Sequence, residues 1–120
     1  MKTVAHTPAV ALQGVHKSFN DTPALTDLEV VAPNGKITVL LGPNGAGKTT
    51  AIRCITGAMS ADSGSVRTLG LDPERDGEEV RSQCGVVSAR PALYDRLTGW
   101  DNLIYAAELH SIARRIKKDR

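Results

Sequence analysis

Hydrophobic and polar positions alternate loosely from Val10 to Phe19, break at Asn20 to Pro23, and resume from Leu25 to Val31, where Pro33, Asn34 and Gly35 end the run. This pattern predicts two strands joined by turn chemistry, hence antiparallel β structure at the start. The next signal is different in kind. Ile37, Thr38, Val39, Leu40 and Leu41 form a nearly unbroken apolar run, which predicts a strand buried on both faces of a parallel sheet. A glycine-rich segment follows at once, and beyond it Ile52, Ile55 and Met59 recur at helical spacing, predicting a helix with that face toward a sheet. Asp62, Ser63 and Gly64 turn the chain into a short strand at Ser65 to Leu69, and Pro73 to Arg81 fits a helix begun by proline. Gly85 to Val87 reads as another short buried strand. Thr98 and Asp101 stand in a capping-box relation that opens a helix through Trp100, Leu103, Ile104 and Ala107.

No internal repeat or low-complexity tract interrupts this order. The chain reads as a flexible N-terminus over residues 1–9 and one α/β domain over residues 10–120, incomplete as it stands. With 120 residues, 41% hydrophobic and 23% charged, the composition is that of a globular chain and excludes collagen, a disulfide scaffold and wholesale disorder. No apolar stretch approaches the roughly 20 residues that a bilayer requires, and Met1 to Val10 lacks the apolar core of a secretory signal. The expectation is a cytoplasmic protein. Cys54 and Cys84 have no metal-ligand spacing to His6, His16 or His110, so no cysteine or histidine is assigned a catalytic or metal role. Cys54, flanked by apolar residues, is expected to pack.

Formal charge is +2, yet five of the last seven residues are basic and that tail carries a net +4, leaving −2 for residues 1–113. A slightly acidic body argues against a nucleic-acid surface, and the basic tail reads as the solvated face of a helix.

The chemistry is concentrated in Gly42, Pro43, Asn44, Gly45, Ala46, Gly47, Lys48 and Thr49, which match G-x-x-x-x-G-K-[ST], the phosphate-binding loop. Four fixed positions would match by chance in a chain this long only on the order of a few times in a thousand. The pattern suits a nucleoside triphosphate. A glycine-rich turn can aim successive backbone N–H groups at phosphate oxygens without side chains in the way, and the following helix presents its positive end. Lys48 adds a full charge for the β and γ phosphates, and the Thr49 hydroxyl is a hard oxygen ligand for magnesium.

The stretch GPNGAGKTT, Gly42 to Thr50, resembles the Walker A motif of ABC-type ATPases. The resemblance extends through DSGSV at Asp62 to Val66 and PALYDRLT at Pro91 to Thr98, in the family's order, and covers the chain from about Ala11 onward. The sequence is similar to the N-terminal half of an ABC transporter nucleotide-binding domain, and LYDRLT is similar to segments in bacterial exporter ATPases of the sodium or drug-export kind. That resemblance implies a P-loop NTPase with an N-terminal antiparallel β subdomain and a RecA-like parallel sheet, truncated in its helical subdomain. It implies ATP and Mg2+ as ligands, with phosphates held by Gly42 to Thr50, the metal by Thr49, and adenine stacked on Phe19 of HKSFN. An ordinary buried strand phenylalanine is the other reading of Phe19.

The implied partners are a membrane-spanning transporter subunit and a second nucleotide-binding domain, with no nucleic acid, and the implied place is the inner face of the cell membrane. The helix carrying Trp100, Leu103 and Ala107 is either a contact surface for that membrane subunit or part of a packed core. One departure stands out: Ala89 occupies the place of the family's metal-contacting glutamine, and neither Arg90 nor Gln83 can replace it. After Lys48 there is no apolar run closing on Asp, no adjacent Glu, no LSGGQ-like segment and no late histidine, so no catalytic residue is assigned. The expectation is an ATP-binding transporter subunit whose hydrolytic parts lie outside these residues. A soluble, non-transport ABC ATPase and a nucleotide-binding remnant remain alternatives.

Overall fold

A computed structural model of the chain describes residues 7–43, 45, 47–87 and 93–109. The expectations placed on residues 1–6, Asn44, Ala46, Ala89, Arg90, His110 and the basic tail lie outside the described residues. The fold falls into two units that part between Cys84 and Gly85.

The first unit is built on a hairpin. Strand β1 (Val10–Phe19) pairs antiparallel with β2 (Thr22–Ala32), and β3 (Ser63–Thr68) pairs antiparallel on the other side of β1, giving the order β2-β1-β3. The turn is just Asn20 and Asp21, both at positive φ (47° and 65°), the combination whose twist matches a two-residue hairpin. Thr22 and Pro23, grouped with the turn in the sequence reading, belong to β2. Pro23 is tolerated because β2 is an edge strand of this sheet.

The loose alternation along β1 has a structural cause. Leu12 and Val15 are both fully buried although three residues apart, which a regular strand of period two forbids. Gly14 resolves the conflict: at φ 57° it sits within a register shift between Leu12 and Val15, a bulge that turns the strand over and puts both side chains on the core face. The Gly14 N–H left by the bulge donates to Glu29 Oε1 at 2.8 Å.

Helix α1 (Lys48–Thr56) packs Ala51 and Cys54 against Leu12, Val15 and Leu25 to form the core, with Val10, Leu28, Val30, Ile55, Met59, Ala61 and Val66 around it. Cys54 is a packing residue, as expected, and burial pushes its thiol pKa up, which keeps it in the unreactive protonated form. The inward face is set by Ala51, Cys54 and Ile55; Ile52 is exposed, and Met59 lies past the helix end but still packs on the core. The Thr68 hydroxyl donates to Ile55 O at 2.7 Å, fastening β3 to the helix. Pro73 starts a turn and not a helix: α2 is Gly77–Ser82, anchored by the fully buried Val80.

Two strand expectations are corrected. Residues 37–41 form no strand, and Ile37 and Leu41 are 96% and 85% exposed. Val86 and Val87 are likewise exposed and irregular. An apolar run states what a segment would bury if covered, but a parallel strand also needs neighbours on its hydrogen-bonding edges. Among the described residues neither segment has one.

The second unit contains α3 (Gly99–Leu109). The Asp101 N–H donates to Thr98 Oγ1 at 3.1 Å, the N-terminal cap that the sequence predicts. Asn102 then staples the preceding turn: its Oδ1 accepts from Tyr94 N–H at 2.9 Å while its Nδ2 donates to Tyr94 O and Thr98 O at 3.2 and 2.9 Å. The Tyr94 and Tyr105 rings meet edge to face at 5.4 Å. No residue of α3 is buried, so the core-packing alternative for Trp100 and Leu103 does not hold within this unit.

Candidate nucleotide site

The glycine-rich segment enters α1 directly. Gly47 is its N-cap at φ 92° and offers no side chain to the first-turn amides, and that turn contains no acidic residue. An α-helix leaves its first N–H groups without intrahelical partners, and most helices satisfy them with a Ser, Thr, Asp or Asn cap. Gly47 supplies no such cap, and among the described residues no side chain caps this turn. The sequence meets the requirement with glycine for a second reason: a Cβ on Gly47 would lie 2.5 Å from Ala24 O and 2.8 Å from Leu25 Cδ2, so the loop is pressed onto β2 where only a bare backbone fits.

Lys48 is the first residue of α1, and its ammonium donates to Gly42 O, closing the loop from its last turn to its first residue. Gly42, Pro43 and Gly45 are exposed, Thr49 is exposed and Thr50 half-buried. The backbone therefore brings the ends of the motif together at one helix terminus with the Thr49 hydroxyl beside it in sequence. Asn44 and Ala46, the other two members, are not among the described residues.

Phe19 closes β1 and is 43% exposed, which removes the reading of a buried strand phenylalanine. Lys17 Nζ lies over its ring, 5.6 Å from the centroid. Lys17 is in turn paired with Asp62 Oδ1 at 3.1 Å, while Asp62 Oδ2 accepts from Ser18 N–H at 2.8 Å and Asp62 N–H donates to His16 O at 2.8 Å. The Ser18 amide, and after it Lys17, holds the Asp62 carboxyl below the usual carboxylate range. In sequence Asp62 reads as a turn residue opening DSGSV, with no sign of these contacts, because its partners lie more than 40 positions away.

A family model described as ABC transporter matches residues 25–120. The chain belongs to the ABC transporter ATP-binding family. Among its curated relatives, the uncharacterized ABC transporter ATP-binding protein YdbJ of Bacillus subtilis is 36% identical over 103 residues, covering 86% of this chain and 33% of that protein. The probable multidrug ABC transporter ATP-binding protein YbhF of Escherichia coli is 35% identical over 111 residues, covering 91% of this chain and 19% of that one. The chain thus spans a third or less of these two relatives. Among solved structures, an ATP-binding subunit of an ABC transporter superposes with a TM-score of 0.76 at 27% identity, over 89% of this chain and 45% of the other. The fold class is accordingly the α/β P-loop NTPase of ABC type.

Proposed function

We propose that this chain binds MgATP as the phosphate-binding part of an ABC transporter ATPase subunit and, within the complete protein, contributes to ATP hydrolysis that drives transport across a membrane. The observation that carries the reading is the uncapped N-terminus of α1, continuous with the Walker A motif and closed by Lys48. Family membership and the relatives' ATP-binding designations support it.

In this reading the backbone N–H groups of Asn44 to Thr50 donate to phosphate oxygens, and the unneutralised helix terminus favours their negative charge. The Lys48 ammonium, a compact point charge, exchanges its carbonyl partner for β- and γ-phosphate oxygens. The Thr49 hydroxyl would hold magnesium as one of its oxygen ligands, and the ion would supply neutralisation of phosphate charge. Phe19 supplies a planar face for adenine, and its exposure at the end of β1 suits that role. The donor set fits both ligands.

A second nucleotide-binding domain and a membrane-spanning subunit are the partners this assignment requires, and the protein would sit at the cytoplasmic face of the membrane. None of the described helices is long and apolar enough to cross a bilayer itself. Lys48→Ala tests the core of the proposal: by calorimetry it should weaken ATP binding at least about a hundredfold, consistent with loss of a charge-assisted contact to phosphate. Unchanged affinity in a variant with a native melting profile would remove Lys48 from the site.

A further inference from the structure

The geometry points to Lys17 and Asp62 as a clamp that positions Phe19 for the nucleobase, a role that rests on the adenine reading of Phe19. Three contacts converge on the last turn of β1 before the hairpin. Asp62 binds the Lys17 ammonium with one oxygen and the Ser18 amide with the other, and its own N–H holds His16 O. Residues 16, 17 and 18 are thereby all fastened to one residue, immediately before Phe19.

The ammonium is placed where it does more than balance charge. It lies over one face of the Phe19 ring at 5.6 Å, within the range at which a cation is drawn to an aromatic quadrupole. Lys17 is mostly buried along its side chain, whereas Asp62 is about half exposed, so the pair is anchored from the protein side. One face of the ring is thus occupied by a held cation while the residue keeps 43% exposure, and the clamp assigns the exposed ring surface to a second, flat partner. Without Asp62 the flexible lysine stem would have no fixed end, and the ring would lose the contact that selects its rotamer.

The clamp also links the two halves of the site. Asp62 lies six residues past the end of α1, the helix whose first residue is Lys48. The strand that ends in Phe19 is therefore tied to the segment leaving the phosphate helix. A base platform and a phosphate cradle can act on one molecule only if their spacing is fixed, because binding otherwise carries the entropy of ordering them.

The test compares ATP with inorganic tripolyphosphate, each with magnesium, by calorimetry on the full chain, because tripolyphosphate uses the cradle and not the platform. Lys17→Met and Asp62→Asn should each weaken ATP binding roughly three- to tenfold while leaving tripolyphosphate unchanged, the cost of ordering one aromatic side chain on binding. Lys17→Arg should restore most of the loss. Asp62→Asn keeps an acceptor for the Ser18 amide and so guards against a variant that merely unfolds.

Phe19→Ala separates the two layers of the argument. If it lowers ATP affinity selectively while Lys17→Met and Asp62→Asn match the native protein, the clamp is overturned and the role of Phe19 stands. If it leaves the ATP-to-tripolyphosphate ratio intact, the adenine reading falls and the clamp with it. Equal loss of both ligands in the clamp variants would make Lys17 and Asp62 a structural staple only, which also overturns the proposal.

Discussion

Gly47 carries two constraints at once, a φ of 92° and a backbone oxygen 2.5 Å from where a Cβ would stand. Gly47→Ala should therefore destabilise the first unit by at least about 2 kcal/mol, combining the left-handed penalty with a clash against Ala24 that no rotamer relieves. Urea denaturation measures this directly, and a loss under about 0.5 kcal/mol would mean that the loop relaxes freely away from β2. Asp62 makes a pH-dependent prediction. Its folded pKa lies below the ordinary carboxylate range, so its contribution is fully present above that range and is lost as pH falls through the depressed value. The melting-temperature gap between the native chain and Asp62→Asn should accordingly be present at neutral pH and close in acid. A gap that persists in strong acid would mean that the carboxylate charge is not what Asp62 contributes.

At the scale of elements, the two units are stabilised differently. The first buries Leu12, Val15 and Leu25 under α1, each fully buried aliphatic side chain contributing on the order of 1.5–3 kcal/mol. The second has an exposed helix held to its preceding turn by the polar bracket of Asn102 and the Tyr94–Tyr105 ring contact. Asn102→Ala should thus cost about 1–2 kcal/mol locally and leave the first unit untouched. Amide hydrogen exchange reads it: the Tyr94 N–H, which donates to Asn102 Oδ1, should exchange roughly tenfold faster or more, whereas amides of β1 keep their protection. Equal acceleration in β1 would show that the bracket matters to both units.

At the scale of the whole molecule, both units expose large apolar side chains among the described residues. Ile37, Leu41 and Val87 are each more than 80% exposed, and Trp100, Leu103 and Leu109 are more than half exposed on α3. Exposed apolar runs with unpaired backbone favour self-association. The 120 residues studied alone should consequently form concentration-dependent oligomers by light scattering, and Ile37→Lys with Leu41→Lys should reduce them. A stable monomer at high concentration that binds no hydrophobic dye would contradict this.

What the residues by themselves determined is what is encoded over short spans. The Walker A pattern is eight consecutive residues, the break at Asn20 to Pro23 marks the hairpin turn that the structure narrows to Asn20 and Asp21, and the α3 cap is Thr98 acting on an amide three positions later. In the turn and the cap the partners are neighbours in sequence, so backbone stereochemistry fixes the outcome before any packing occurs. Only the tertiary structure could decide the rest. Whether Leu12 and Val15 share a face depends on a bulge defined against β2, and whether Asp62 is a turn residue or the anchor of Lys17 depends on β3 reaching β1. The run at Ile37 to Leu41 is the clearest division: its hydrophobicity is legible in the residues, but strand formation requires hydrogen-bonding neighbours and cover on both faces, which no stretch of sequence supplies for itself.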